Sequence, residues 1–279
     1  MKGIILSGGT GTRLYPLTCA SNKQLLPVFD KPMIYYPLST LINKGIREIM
    51  IISTPKWIPE YKALFGNGKH LGLKIVYGVQ PQPKGIAQSF LIAEDFIKKD
   101  CVSLILGDNI IFGTLVDTLF SPAQIFAYPV TNPRDYGVVE FSYDGRVKSI
   151  EEKPEVPKSK YAVPGLYFYD NAVVGIVKKL KPSARGELEI TDVNKVFLER
   201  NELYATLMKR GSVWLDAGTP TTLSQASSYV QTIQERQGIK IACIEEDCLS
   251  NGFINLDQYK IIIEKTPKSE YRNYLESIL

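Results

Sequence analysis

The sequence predicts an α/β fold, a Rossmann-like and mostly parallel mixed sheet flanked by helices, with a second lobe and C-terminal helices. Three observations lead to this prediction. Apolar runs of strand length alternate with helically spaced segments up to about residue 123, which is typical of a covered parallel sheet. Shorter strands joined by a hairpin turn follow up to about residue 235, and a polar, helical tail ends the chain.

The first part contains four apolar runs that predict buried strands, at Gly3 to Leu6, Arg47 to Ile52, Lys74 to Val79 and Val102 to Leu106. Residues 33–44 and 87–98 carry helical spacing and connect some of these strands. Ligands of parallel sheets bind at the carboxyl ends of the strands. The loop after Leu6 and the segment Gly107-Asp108-Asn109 both follow strands, so we expect them to face one site.

The second part predicts strands at 125–130, 137–142, 147–151 and 163–169, with Tyr143-Asp144-Gly145-Arg146 as a hairpin turn. Helices are expected at 171–180, 188–200 and 219–234, and a helical mixture at 257–279. The chain has no internal repeat and no low-complexity linker. We therefore predict one domain, 1–279, with parts at about 1–123, 124–235 and 236–279.

Composition excludes several classes of function. With 44% hydrophobic and 22% charged residues, the chain matches a globular protein, and a net charge of +4 without a Lys/Arg block argues against nucleic acid. The chain enters its first strand directly and contains no apolar run long enough to span a bilayer, so neither a signal peptide nor a membrane location is expected. Four scattered cysteines with one histidine, His70, argue against zinc and favour the cytoplasm.

The most informative segment is the glycine-rich loop Ser7 to Arg13. A dinucleotide fingerprint would need a third glycine, but the segment Gly9 to Leu14 has Arg13 where that glycine would pack. In addition, Pro16 discourages an immediate helix. A Walker loop would end in GK[ST], which is absent. The third interpretation is a GGxGTRL loop followed by the Lys-containing segment KQLLP, and the chain matches it closely. Backbone N–H groups in such a loop can bind phosphate.

Further motifs extend this match in order along nearly the whole chain. They are GGTGTRL (8–14), KQLLP (23–27), DKPMIYYP (30–37), GDN (107–109), YGVVE (136–140), EEKP (151–154), GLYFY (165–169), RGELEITDVN (185–194) and WLD (214–216). The chain thereby resembles the sugar-phosphate nucleotidyltransferase family, and within it the glucose-1-phosphate thymidylyltransferases. In this family the second part of the chain forms the sugar-binding lobe.

The resemblance implies a Mg²⁺-dependent nucleotidyl transfer. In it, dTTP and α-D-glucose 1-phosphate would give dTDP-glucose and pyrophosphate, for deoxysugar and cell-surface polysaccharide synthesis. The same reaction with UTP or with another hexose 1-phosphate is an alternative, and a catalytically silent paralogue that binds a sugar nucleotide is another. A cytoplasmic homo-oligomer, dimer or tetramer, is implied as well.

Site residues follow from the same motifs. The resemblance assigns catalysis to Arg13, Lys23 and Lys153, since two anionic reactants must approach each other. It assigns nucleotide binding to Leu6, Gly8, Gly9, Gly11, Thr12, Arg13, Lys23, Gln24, Gln80, Gly85 and Asp108. The amide of Gln80 could pair with thymine or uracil alike. For Arg13 and Lys23, the competing interpretation is that they are solvated surface cations.

The resemblance assigns the sugar phosphate to Tyr136, Gly137, Glu152, Lys153 and Val163, and Mg²⁺ to Asp108 and Asp216. A hard cation with few protein ligands and substrate phosphate oxygens suits this reaction. Competing interpretations remain open. Either aspartate could cap a helix, Glu152 and Lys153 could form an exposed strand end, and Tyr136 could belong to the core.

The chain departs from the family pattern at a few positions. Ser7 stands where alanine is usual, Cys19 where arginine is common, and Ala217 and Pro220 where threonine and histidine are usual. Residues 114–124 are several positions shorter than in relatives, where the region lies near a secondary nucleotide site and subunit contacts. The shortening argues against feedback inhibition and tetrameric assembly, whereas the catalytic set is retained.

Overall fold

The computed structural model describes residues 1–113 and 122–279. The strands within these ranges are β1 (Lys2–Leu6), β2 (Pro27–Val28), β3 (Lys31–Pro32), β4 (Glu48–Ser53), β5 (Lys74–Val79), β6 (Val102–Leu106), β7 (Asn109–Phe112), β8 (Ala123–Pro129), β9 (Gly137–Phe141), β10 (Val147–Glu152), β11 (Tyr161–Ala162), β12 (Leu166–Tyr169), β13 (Leu203–Leu207) and β14 (Val213–Asp216).

The α-helices of the same ranges lie between and after these strands. They are α1 (Tyr35–Asn43), α2 (Ile58–Phe65), α3 (Gln88–Ile92), α4 (Glu94–Ile97), α5 (Ala172–Val177), α6 (Ile190–Glu199), α7 (Pro220–Gln237), α8 (Ile244–Ser250), α9 (Leu256–Lys265) and α10 (Glu270–Ser277). None of the helices in the described ranges is long and apolar enough to cross a bilayer.

One large mixed sheet forms the centre of the described structure, in the order β10-β9-β11-β8-β12-β6-β1-β4-β5, with β13 also paired to β8. β1 runs parallel to β4 and β6, and β4 runs parallel to β5. β12 joins the two parts of the sheet because it pairs antiparallel with both β6 and β8. This architecture confirms the predicted α/β class.

Helices cover both faces of the sheet, and the side chains of β1 show why. Ile4 and Ile5 are both fully buried, but they belong to different hydrophobic clusters, since neighbouring residues of a strand point to opposite faces. Ile5 shares its cluster with α1, α2 and the C-terminal helices, represented by Leu38, Phe65 and Tyr259. Residues of α3 to α6 cover the face of Ile4.

The structure differs from the sequence prediction in several places, including one helix and two strands. The helix predicted over 87–98 is divided at Ala93 into α3 and α4. β13 and β14 were not predicted, because strands of four or five residues are too short to show a clear period. β14 matters for function, since it pairs antiparallel with β7 and places Asp216 opposite Asn109.

Two predictions, one about the segment 114–124 and one about the division of the chain into parts, stay predictions. Most of the shortened segment 114–124 lies outside the described residues, so its expected effect on a secondary nucleotide site stays a prediction. The division of one domain into parts at about 1–123, 124–235 and 236–279 stays a prediction as well.

Candidate active site

Two loops meet at the carboxyl ends of β1 and β6. Leu6 and Leu106 are paired in the parallel ladder, and the N–H of Gly107 donates to the carbonyl oxygen of Leu6 at 2.9 Å. The two loops that follow these strands therefore start side by side. The prediction that the glycine loop and Asp108 face one site is confirmed.

The chain after the glycine loop returns to the same edge of the sheet and delivers Lys23. Lys23 begins a short helical turn whose N-cap, Asn22, accepts the N–H of Gln24 at 3.1 Å and the hydroxyl of Tyr61 at 2.8 Å. This anchoring directs Lys23 inward, where its ammonium forms an ion pair with Oδ2 of Asp108. The Lys23 side chain is 7% exposed, so it is not a solvated surface cation. Arg13 is exposed at the loop surface.

The second aspartate reaches the site through the β7–β14 ladder. Asp216 pairs with Asn109, and the N–H of Ala217 donates to the carbonyl oxygen of Asp108 at 3.2 Å. Neither aspartate caps a helix. β7 follows Asp108 directly, and Thr219 is the N-cap of α7, in a capping box with Thr222.

The two carboxylates have opposite electrostatic environments. Burial and, after it, the nearby charge of Asp108 together raise the pKa of Asp216 to about 6, although the charges of Lys23 and Arg13 act in the opposite direction. Burial also acts upward on the pKa of Asp108, but the charge and hydrogen bond of Lys23, together with the amide of Asn109, outweigh it and hold that pKa below its usual value. Asp108 is therefore ionised and paired, whereas Asp216 carries the less stable negative charge.

A hard cation could be held by these two carboxylates. Among the described residues, Oδ1 of Asp216 is buried and has no hydrogen-bond partner, which leaves an oxygen lone pair available to a ligand. Two carboxylates, one of them with a free oxygen, fit Mg²⁺, which binds through one or two carboxylates and completes its shell with water and phosphate oxygens.

Two cavities open from this point. The loop cavity, of about 240 Å³, is lined by Gly9, Thr10, Gly11, Thr12, Arg13, Lys23, Gln24, Asp108 and Gly218. The lobe cavity, of about 330 Å³, has walls that include Tyr136, Gly137, Glu152, Lys153, Val163 and Asp216. Arg13 and Asp108 line both cavities. Most of the predicted phosphate residues and all of the predicted sugar-phosphate residues therefore lie in two adjoining spaces, whereas Leu6 and Gly8 line neither cavity.

Side chains fix the shape of the lobe cavity. The hydroxyl of Thr191 donates to Oε2 of Glu152 at 2.6 Å and holds that carboxylate in place. A Cβ added to Gly137 would lie 3.5 Å from the same Oε2 and 3.8 Å from Val163, so the glycine keeps space open here. Tyr136 is half-buried with its ring 5.0 Å from that of Trp214, so it lines the cavity and also packs against the edge of the core.

Lys153 has a constrained backbone at the mouth of the lobe cavity. Its φ of 43° lies in the left-handed region that non-glycine residues seldom adopt. The N–H of Lys153 donates to the carbonyl oxygen of Tyr136 at 3.0 Å, which fixes this conformation. Strained residues of this kind cluster at functional sites. Lys153 is also exposed directly after the end of β10, so the competing interpretation as an exposed strand end stays open.

The residues predicted to contact the base lie apart from both cavities. Gln80 is buried and its amide donates to Oε1 of Gln88 at 2.8 Å. A Cβ added to Gly8 would overlap Oε1 of Gln80 at 1.8 Å, so Gln80 supports the glycine loop from beneath. Gly85 has φ +95°, and an added Cβ would lie 2.4 Å from the carbonyl oxygen of Leu188. Packing therefore explains this glycine, and neither residue lines the loop cavity or the lobe cavity.

Sequence reasoning assigned no role to several residues that the structure places in the site. Asn109, Thr191 and Trp214 line the lobe cavity, and Gly218 lines the loop cavity. Three of them lie inside the motifs GDN, EITDVN and WLD, so a signal was present. Gly218 lies just beyond, and its role depends on contacts that no motif reveals.

Comparison with known proteins agrees with this geometry. Residues 2–233 match the family model described as nucleotidyl transferase. A glucose-1-phosphate thymidylyltransferase of Mycolicibacterium smegmatis is 51% identical over 285 residues, covering 100% of this chain and 99% of the relative. One from Neisseria meningitidis is 50% identical over 286 residues, covering 100% of this chain and 99% of the relative.

Solved structures show the same relationship in three dimensions. A crystal structure from Bacillus anthracis, described as a glucose-1-phosphate thymidylyltransferase with sucrose, is 41% identical with a TM-score of 0.75, covering 82% of this chain and 94% of that one. A UDP-glucose pyrophosphorylase with UDP-glucose shares the fold at 23% identity and a TM-score of 0.72, covering 83% of this chain and 98% of that one. The chain belongs to the nucleotidyl transferase family and is a nucleotidyltransferase.

Proposed function

We propose that the protein transfers a thymidylyl group from dTTP to α-D-glucose 1-phosphate, giving dTDP-glucose and pyrophosphate with Mg²⁺ as cofactor. One observation carries the proposal: two cavities of different chemistry adjoin and share Arg13 and Asp108. A reaction between two anionic substrates requires such an arrangement, since each must be held while their reacting atoms approach.

The loop cavity would take the triphosphate. Backbone N–H groups of Gly9 to Thr12 and the cations Arg13 and Lys23 surround it, and such groups stabilise phosphate charge. A sugar-phosphate oxygen attacks the α-phosphorus, the bond to the bridging oxygen breaks, and pyrophosphate leaves with the electron pair. Arg13, which also borders the lobe cavity, is placed to balance charge on the α-phosphate during that exchange.

The lobe cavity would take the sugar phosphate. The carboxylate of Glu152 can accept hydrogen bonds from sugar hydroxyls, and the ammonium of Lys153 can bind the phosphate as a point charge. Gly137 and Val163 leave the space that a hexose ring needs. These contacts would orient the attacking oxygen toward Asp108 and Arg13, where the cavities meet.

Asp108 and Asp216 would hold Mg²⁺, as the unpartnered Oδ1 of Asp216 supports. When bound, the ion supplies charge neutralisation and alignment for the phosphates. Lys23 then keeps Asp108 ionised, since its ammonium is buried against that carboxylate. The chain itself thus contributes two carboxylates, which lie near the cations Arg13, Lys23 and Lys153.

Preference for dTTP over UTP rests on the similarity to thymidylyltransferases, because the amide chemistry of Gln80 serves both bases. A hydrophobic pocket rejects a molecule lacking one methyl group only weakly. We therefore expect measurable use of UTP. Deoxysugar synthesis as the destination, a cytoplasmic location, and assembly as a dimer or tetramer stay predictions.

The deciding experiment measures pyrophosphate release with each nucleoside triphosphate against a panel of hexose 1-phosphates, at saturating Mg²⁺. The expected result is the highest kcat/KM for dTTP with glucose 1-phosphate. A better rate with UTP or another hexose 1-phosphate would reassign the substrate. Binding of sugar nucleotides without release from any pair would overturn the proposal and favour a catalytically silent paralogue.

A further inference from the structure

Asn109 lines the lobe cavity directly beside Asp108. It is 3% exposed and begins β7, directly opposite Asp216 in the β7–β14 ladder. The function proposed above assigns this residue no part. Its side chain nevertheless makes three hydrogen bonds, each to a different segment of the site.

Its amide oxygen accepts from two walls of the lobe cavity. The indole Nε1–H of Trp214, on β14, donates to Oδ1 at 2.6 Å, and the N–H of Gly165, just before β12, donates to the same oxygen at 2.9 Å. With both lone pairs used, the orientation of the amide is fixed. Its NH₂ group must then point away from these walls.

That NH₂ group donates to Oδ1 of Asp108 at 2.9 Å. The other oxygen, Oδ2, forms the ion pair with Lys23. The two contacts hold the carboxylate at both ends, so its rotation about the Cβ–Cγ bond is restricted. Amide and carboxylate partners that orient a functional carboxylate in this way act through it rather than on the substrate.

We propose that Asn109 is a positioning residue, which transmits the geometry of the lobe-cavity walls to the Asp108 carboxylate. The inference rests on the proposed function for its kinetic readout. Because Asn109 acts through Asp108, its loss should lower kcat while the affinity for sugar phosphate stays close to normal. A residue that binds the sugar directly would show the reverse split.

Asn109→Asp is the sharpest variant. It keeps an oxygen that can accept from Trp214 and Gly165, but it replaces the donor facing Asp108 by a carboxylate oxygen. Asn109→Ala removes all three hydrogen bonds and reports the combined effect. Tyr259→Phe is the matched control, since it removes a buried side-chain hydrogen bond, to the carbonyl oxygen of Leu275 at 3.2 Å, outside both cavities.

The experiment measures kcat, the KM of each substrate and the melting temperature for all three variants. It also measures calorimetric binding of dTTP with Mg²⁺, without sugar phosphate. For Asn109→Asp we expect kcat to fall about 10- to 100-fold, the KM for glucose 1-phosphate to change less than about threefold, and Mg²⁺-dependent dTTP binding to weaken.

Two results would overturn the inference. A wild-type kcat with a melting temperature lowered as in Tyr259→Phe would make Asn109 structural only. A raised KM for glucose 1-phosphate with unchanged kcat would make it a sugar-binding residue. If wild-type protein releases no pyrophosphate, the proposed function fails, whereas the dTTP titration still tests whether Asn109 positions Asp108.

Discussion

The loop cavity and the lobe cavity recognise their ligands by different means. The loop cavity is built largely from main chain and two cations, and close neighbours leave no room for a Cβ at two of its glycines, Gly11 and Gly218. The lobe cavity is built from side chains that already hold one another, as Thr191 holds Glu152 and Asn109 holds Trp214. Main-chain donors and cations recognise phosphate in any nucleotide, whereas fixed side chains discriminate between hydroxyl patterns. We therefore expect stricter selection of the sugar than of the nucleotide.

The largest expected effect falls on Asp108, one of the two residues that both cavities share. Asp108→Asn removes a negative charge, leaves the buried ammonium of Lys23 without its ion-pair partner, and should lower kcat by about 10²- to 10³-fold, the range that removing one electrostatic catalytic group costs. Pyrophosphate release measures the rate, and circular dichroism with a melting curve checks the fold. Near-normal turnover would remove the metal assignment and the link between the cavities.

The next effect tests how closely the two cavities are joined. A Cβ added to Gly218 would lie 2.8 Å from Oδ1 of Asp216 and 3.0 Å from Nη2 of Arg13, so Gly218→Ala should displace one of them. We expect a fall of about 10- to 100-fold in kcat/KM, as expected for a misplacement of about 1 Å.

Gly175→Ala is the control for this substitution. Gly175 lies in α5, where an added Cβ meets nothing within 4 Å, and alanine is preferred to glycine in helices. This variant should retain full activity with equal or higher stability. If Gly218→Ala is as active as Gly175→Ala, the positions of Asp216 and Arg13 beside Gly218 do not limit the reaction.

A smaller effect is expected on the KM of one substrate only, which tests whether the two cavities act separately. Thr191→Val keeps the shape of the side chain but removes the hydroxyl that donates to Glu152. We expect the KM for glucose 1-phosphate to rise about 5- to 10-fold, as the loss of one hydrogen bond worth roughly 1 kcal/mol would cause, with the KM for dTTP unchanged.

Thr206→Val provides the comparison for this variant. Thr206 accepts a hydrogen bond from Gln124 on the neighbouring strand β8, and neither residue lines the loop cavity or the lobe cavity. It should change stability alone. Equal changes in the KM of both substrates for Thr191→Val would show that the cavities do not select their ligands independently.

The smallest effect is on stability and concerns Asp216 in the absence of metal. Its pKa in the folded protein is about 6, above the ordinary 3.8. The stabilising contribution of its proton is fully present below about pH 4 and is lost as the pH rises through about 6. Asp216→Asn does not titrate, so relative to wild type it should gain on the order of 1–2 kcal/mol between about pH 5 and pH 8.

Melting curves of metal-free wild-type and variant protein at both pH values measure this difference. The same variant should be catalytically impaired, because a metal ligand is lost. A difference in melting temperature that does not change with pH would mean that Asp216 is ionised at ordinary pH without a cost, contrary to its burial.

The sequence was sufficient for the α/β class and for the meeting of the glycine loop with Asp108, because both follow from apolar strands and their carboxyl ends. It was not sufficient for the path of Asp216. The sequence leaves open whether Asp216 caps a helix, because the pairing of β14 with β7 is a contact between distant segments that no local period encodes. The contacts of Asn109 and Gly218 are equally non-local, hence their roles could not be inferred beforehand.

Residues predicted from resemblance alone were placed with mixed results. The sugar set and most of the phosphate set line the two cavities, whereas Leu6, Gly8, Gln80 and Gly85 line neither. Gln80 and Gly85 were the residues predicted to contact the base. Both of the latter have neighbours that account for their residue types, Gln88 for the amide and Leu188 for the glycine. Their proposed contacts with the base stay predictions.

The β7–β14 ladder has a consequence for how the enzyme is made. Asn109 of β7 and Trp214 of β14, which a side-chain hydrogen bond joins, are 105 positions apart in the chain, a stretch that a ribosome synthesises in about 5–20 s at 5–20 residues per second. During that interval the nascent chain already carries the glycine loop, Lys23 and Asp108, but not Asp216. Nucleotide that binds then would stabilise the partly made protein by mass action, without yet being consumed.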